Sequence, residues 1–178
     1  MKLECVEQPT QEPVALEEIK EYLRIDGDDE DVLLASLITA ARCYCEDYQK
    51  QASCIQKLQL TLPGEEVSGA FELPRGRYLR EVNKVVRVAG DKETNLTFAV
   101  HTGNVNSLLF CIDNPKGDGD LVITYTAGIE KPDPQFLMAI KMLVAGLYEH
   151  RLPFSEGKVL SEVPFGIKAL LQGGRVLL

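Results

Sequence analysis

No apolar run in this 178-residue chain reaches the length of a membrane-spanning helix. The most apolar helical segment, Phe136 to Tyr148, is short and interrupted by Lys141. The opening MKLECVEQPT lacks the apolar core of a secretory signal. A soluble, cytoplasmic protein is therefore expected. Histidine is scarce, with only His101 and His150. The five cysteines (Cys5, Cys43, Cys45, Cys54, Cys111) are odd in number and have no framework spacing. Cys43 and Cys45 lie two apart on a predicted helix, so their side chains diverge by about 200°. A tetrahedral zinc site would need further ligands, and only the two histidines are available. Reduced, mostly buried thiols and no metal are the expectation.

Catalytic furniture is missing as well. Nucleophilic chemistry needs an activated Ser, Cys or Lys with a base in reach, and no such group converges on local spacing. His101 falls in a β-turn region, and His150 lies at a helix end where an imidazolium suits the dipole. Gly117 and Gly119 form a G-x-G, but no helix follows at once and no Lys-Ser/Thr completes a phosphate loop. Glu46 and Asp47 are adjacent on a helix and point apart. No catalytic residue and no cofactor are assigned; binding or assembly is favoured over catalysis.

What the chain does have is unevenly placed charge. Residues 1–31 hold eleven acids and three bases, which accounts for the whole net charge of −8. An acidic front end argues against a dedicated nucleic-acid binder, which needs a basic footprint. A solvated helix surface with acidic N-termini explains it best, ahead of a surface that repels DNA or docks on a basic partner. DGDDED lacks the sixth-position glycine and distal Glu of a calcium loop, and reads as two helix ends. Arg75, Arg77, Arg80, Lys84 and Arg87 cluster beside Glu72 and Glu81, and read as one solvated face of a strand.

The periodicity changes twice. At this length about 70% of the unfolded surface can be buried, enough for one domain or two small ones. Residues 1–12 are polar and predict a loose, flexible arm. Val14 to Ile25 predicts a short helix stopped at Asp26-Gly27. Asp28 or Asp29 then caps a long helix to about Gln51, with Leu33, Leu37, Ala40 and Tyr44 on its core face. Beside that stripe lie Leu34, Ile38, Ala41, Cys45 and Tyr48. From Ile55 to Thr126 the pattern alternates, giving five or six short strands. Leu108, Phe110 and Ile112 are one such alternating set. ITYTAG ends the β stretch at Gly128, and Asp133-Pro134 opens a helix to Arg151. Its stripe is Phe136, Ile140, Leu143 and Leu147, joined by Leu137, Val144 and Tyr148. Pro164 opens a last short helix through Leu171. The fold class is α+β: a small helical bundle from 13–54 and 132–172, an inserted antiparallel β unit over 55–127 (a curled sheet or small barrel), and a tail at 173–178.

Several segments together resemble phage head–tail connector proteins. LITAARCYCEDY (Leu37 to Tyr48) is similar to that family's I-x-x-A-R-x-Y-x-E-x-Y pattern. ITYTAG with a downstream proline and YEHR resembles a second hallmark, and VPFGIKALL (Val163 to Leu171) its closing segment. LPRGRYLREVNKVVRV (Leu73 to Val88) sits where longer members carry a proline-led strand. Two departures mark this chain: Leu147 stands where members often have Trp, and Gly174-Arg175 where they often have an aromatic-Arg pair.

The resemblance implies a structural adaptor in the virion neck, made in the bacterial host cytoplasm, with no reaction to catalyse and no cofactor. It implies a ring of identical subunits below the portal protein, a tail-completion partner, and DNA passing without sequence-specific binding. It places Arg42, Tyr44, Glu46, Tyr148 and Arg151 in the helices that position those contacts. Pro164, Phe165 and the apolar Val176, Leu177 and Leu178 are candidates for docking on a neighbour or the portal, with ordinary core packing favoured for Tyr44 and Tyr148. Two other classes stay open: a small ligand-binding or enzyme accessory module using the β unit, and a DNA-binding packaging factor using the basic cluster.

Overall fold

The computed structural model describes residues 1–64, 70–103, 107–113, 117–149, 154–155, 158–159 and 165–175. The chain divides into two compact units, one of 1–10 with 51–130 and one of 11–50 with 131–178.

The first unit is built from strands β1 (Lys2–Glu7), β2 (Gln56–Pro63), β3 (Ala70–Glu72), β4 (Leu79–Ala89), β5 (Lys92–Asn95), β6 (Phe98–Thr102), β7 (Ser107–Cys111) and β8 (Asp120–Ala127). They form a five-stranded antiparallel sheet in the order β1-β2-β8-β4-β5 and a three-stranded sheet β3-β7-β6. Side-chain alternation explains the first sheet's inner face. On β8, Leu121, Ile123, Tyr125 and Ala127 are buried, while Val122, Thr124 and Thr126 alternate with them. Leu58 and Leu60 of β2 lie opposite Tyr125 and Ile123, and Val85 of β4 opposite Ile123. With Leu73 and Leu109 these residues make one core. Each large side chain buried there contributes about 1.5–3 kcal/mol. The Tyr125 hydroxyl donates to the Pro74 carbonyl, so its polar end is satisfied. Burial, opposed by the charge of Arg75, holds that phenol above its usual range.

Gly128 ends β8 at φ 120°, and a Cβ there would lie 2.0 Å from the Cys54 carbonyl oxygen. Only glycine fits this exit from the sheet. Its N–H donates to the Tyr78 carbonyl at 2.9 Å.

Three expectations are corrected in this unit. Residues 2–7 are not a loose arm but an edge strand paired with β2, with Leu3 and Cys5 turned toward the core. The alternation in LECVE is too short to stand out by itself, and the backbone ladder stabilises it. The described strands do not close into a barrel, because the edges β1 and β5 of one sheet and β3 and β6 of the other pair with nothing further. On β7 the inward face is the opposite one: Leu109 and Ser107 are buried, whereas Phe110 is exposed and Ile112 is 67% exposed. A strand carrying apolar residues on both faces leaves its orientation to tertiary packing.

The second unit holds helices α1 (Leu16–Leu23), α2 (Asp31–Gln49), α3 (Pro134–Glu149) and α4 (Phe165–Gln172). A short antiparallel pair, β9 (Phe154–Ser155) and β10 (Lys158–Val159), lies between α3 and α4 in sequence. Asp133 caps α3 as expected, its carboxylate accepting from the Gln135 N–H at 2.8 Å. α1 stops at Arg24, in the left-handed region, with the Ile25 N–H returning to the Lys20 carbonyl at 2.9 Å. That closure precedes the expected Asp26-Gly27 stop.

The helical core is Val14, Ile19, Leu34, Ile38, Ala41, Cys45, Phe136, Ala139, Ile140, Leu143, Val144, Ile167 and Leu171. On α2 the second of the two predicted stripes is the buried one. Leu33 and Ala40 are exposed, and Leu37 and Tyr44 are half-buried. On α3, Leu147 is 39% exposed and Ala139 takes the place expected of it in the core. Asp28 and Asp29 do not cap α2: Glu30 precedes its first turn, without a side-chain cap bond.

Candidate functional site

α2 carries its charges inward. Arg42 is 1% exposed and Glu46, one turn later, is fully buried. The Arg42 Nη1 donates to Glu46 Oε2 at 3.1 Å, as their i,i+4 spacing allows. From the segment before α1, Glu12 reaches the same guanidinium: Nε donates to Oε2 at 2.8 Å and Nη2 to Oε1 at 3.4 Å. Thr39 Oγ1 donates to Glu12 Oε1 at 2.8 Å. Two carboxylates on a planar donor fork are the arrangement a buried guanidinium requires.

Burial disfavours the charged form of Arg42, but the hydrogen bond and charge of Glu12 and the charge of Glu46 outweigh it. Its pKa is held above the ordinary guanidinium value. Such a group has no proton to exchange and acts as a fixed cation. Its work is to tie the chain before α1 onto α2. Burial, with the Glu46 charge adding, pushes the neighbouring Cys45 thiol up to about 12, which leaves it protonated and inert.

The remaining predicted residues fall as follows. Tyr44 is half-buried against the helical core, and Tyr148 at the end of α3 donates its hydroxyl to Glu30 just before α2. Arg42, Glu46 and Tyr148 are thus held by specific partners within this unit, while Tyr44 packs. Arg151, Pro164, Val176, Leu177 and Leu178 lie outside the described residues, and Phe165 is described only as the first residue of α4.

Sequence reasoning missed Glu12, Thr39 and Lys20. Lys20 Nζ bonds Asp28 at 2.7 Å and Asp31 at 2.9 Å, clasping the turn between α1 and α2. These bonds push its pKa up to about 12 and hold Asp28 below the usual carboxylate range. Part of the acidic front end is therefore internal structure. Glu18 similarly bonds Lys141 on α3 at 2.6 Å.

The basic cluster does not form one solvated face. Arg77 donates to Gln51 at 3.1 Å and its guanidinium lies 5.3 Å from the centre of the Tyr78 ring. Arg80 donates to the Gly128 carbonyl at 2.9 Å, and Lys84 to Glu93 at 2.5 Å. Arg77, Arg80 and Lys84 thus each have a local partner, and Arg75 and Arg77 precede β4 rather than lie on it. Among the described residues no His, Cys, Asp and Glu group is arranged to hold a metal ion, and no helix is long and apolar enough to cross a membrane.

Residues 13–98, which include Thr39, Arg42 and Glu46 but not Glu12, match the family model of phage gp6-like head–tail connector proteins. Over just under half of its length the chain is therefore similar to that family. A comparison with curated protein sequences finds no match. The fold is similar to that of a chain from the neck of an empty gene transfer agent particle, computed with C6 symmetry. That likeness has a TM-score of 0.80 at 21% identity, covering 100% of this chain and 97% of the other. A chain from the native gene transfer agent virion gives 0.79 at 20% identity, with the same coverage. One from the native particle neck, computed with C12 symmetry, gives 0.75 at 18% identity, again over 100% and 97%. At these identities the structures establish the fold. Family and fold together support a structural connector role.

Proposed function

We propose that this connector assembles as a homo-oligomeric ring beneath the portal of a tailed bacteriophage, prophage or related particle, completing the head and seating the tail. The observation that carries the reading is the full-length likeness to particle-neck chains, joined to the family match over residues 13–98. Its partners are further copies of itself, the portal protein and a tail-completion protein. DNA passes through the ring without sequence-specific binding, helped by the chain's excess negative charge. The protein works in the virion neck after synthesis in the host cytoplasm, and catalyses nothing.

Residues 13–54 and 132–172 form the mounting element in this reading, and 55–127 the inserted β element. Arg42 and Glu46, being buried, act by holding α2 and its surroundings in place. Tyr44, Tyr148, Arg151, Pro164, Phe165 and the Val176-Leu177-Leu178 tail lie at or near the contacts with a neighbour or the portal. The test is co-expression with the cognate portal protein, followed by native mass measurement and negative-stain imaging. A ring stacked on the portal is expected. A chain that stays monomeric and unbound with portal present at high concentration would refute the proposal.

A further inference from the structure

Between Glu93 and Asp113 the chain carries no Asp, Glu, Lys or Arg, a run of nineteen residues in a sequence that is 26% charged. The run contains β6 and β7. Much of it faces solvent: Ala99, Val100, His101, Thr102, Phe110 and Ile112 are all exposed. A charge-free stretch suits a buried strand and is unusual at a sheet edge.

β6 is such an edge, and an unguarded one. Native sheets blunt their edges with charge, shortness or a bulge, because a free row of N–H and C=O groups invites another strand. β1 carries Lys2, Glu4 and Glu7 and a bulge after Cys5. β5 has four residues, among them Lys92 and Glu93, and β3 has three and ends in Glu72. β6 has five residues, an unbroken register with β7 and none of these devices.

The backbone of β6 is placed to pair. The Ile112 N–H donates to the Thr97 carbonyl at 2.9 Å, next to the Phe98–Cys111 pair. Hydrogen-bonded pairs alternate along an antiparallel ladder, so Ala99 and His101 bond across to β7. The N–H and C=O groups of Phe98, Val100 and Thr102 therefore point off the free edge. Val100 lies opposite buried Leu109, on the core side, yet is 38% exposed, because no strand flanks it there.

We infer that β6 pairs with β6 of a second copy, antiparallel about Val100, joining two three-stranded sheets into one of six strands. Of the edges a second copy offers, β6 meets β6 without setting a charged residue in the new ladder; β1, β3 and β5 each bring at least one. The two-fold sets Val100 against Val100 and Phe98 against Thr102 in hydrogen-bonded pairs, about six backbone bonds in all. Core sides stay together, so each Val100 is covered by the other, and Ala99 meets His101 on the outer side. So small a contact makes a weak dimer rather than an obligate one. A two-fold contact closes on itself, so it belongs to the unassembled chain and does not rest on the ring reading.

The test is sedimentation velocity of the purified full chain, without portal protein, from about 1 to about 200 µM. A monomer–dimer shift is expected across that range. Val100→Lys sets two ammonium groups face to face, and it and Val100→Glu should each raise the dissociation constant at least ten-fold with circular dichroism unchanged. Mixing the two variants should restore a heterodimer, which requires position 100 of one copy to meet position 100 of the other. Independently of any variant's folding, wild-type amide exchange should slow with concentration at Phe98, Val100 and Thr102 and stay constant at Ala99 and His101. A monomer throughout the range, a dimer that neither Val100 variant weakens, or exchange at those three amides that ignores concentration would each overturn the inference.

Discussion

Replacing Arg42 with methionine removes a buried cation of similar length and leaves Glu46, fully buried, stripped of the guanidinium. Breaking a buried pair from one side costs about 3–5 kcal/mol, because the surviving charge keeps its desolvation penalty. Glu12 is the lesser problem, since its side chain keeps 28% exposure and can turn to water. At about 2–4 °C per kcal/mol for a chain of this size, the melting temperature should fall by roughly 10 °C. The double variant Arg42→Met with Glu46→Leu removes both charges and should recover most of the loss. Urea unfolding of wild type, both single variants and the double variant completes a cycle whose coupling should exceed about 1.5 kcal/mol. A coupling near zero, or a single Arg42→Met loss below about 1 kcal/mol, would refute the view that this network holds α2 in place.

Other outcomes follow from the same geometry. Tyr148→Phe loses the bond to Glu30 and should cost about 0.5–1.5 kcal/mol in urea unfolding, with no change in secondary structure by circular dichroism. Gly128→Ala forces a Cβ to within 2.0 Å of the Cys54 carbonyl at a left-handed φ, and should destabilise by about 1–3 kcal/mol or more, read as a lower melting temperature. Asp28 and Glu18 have pKa values lowered by their lysine partners, so the stability they contribute is fully present above their unfolded values near about 4. It is lost as pH falls through the lowered values, and Asp28→Asn should flatten that acid limb in pH-dependent unfolding. Lys20 works in the other sense. Its contribution is complete below about 10.4 and disappears as pH rises through about 12.

What could be read from the sequence was local. The Asp133 cap and the proline start of α3 are set by neighbouring residues, and both are present. Arg42 and Glu46 stand at the i,i+4 spacing of a helix, but their pairing was not anticipated. The structure departs where partners come from far along the chain. Glu12 lies thirty residues from Arg42, and nothing at either position announces the other. α2 offers two apolar stripes, and only packing against α3 and α4 selects Leu34, Ile38, Ala41 and Cys45. β7 is apolar on both faces, so its inward side is settled by the core around Leu109. β1 is a strand because β2 presents it with a ladder, although its own residues read as an arm. The connector resemblance was legible as an ordered set of weak motifs, whereas the burial of the α2 charges needed the fold.

The most direct test of the proposed connector role is the mass of the species formed when the purified protein meets assembled portal rings. The account predicts one closed ring of copies of this chain per portal ring, at fixed stoichiometry. A monomer that never shifts the portal's mass at any concentration would contradict it.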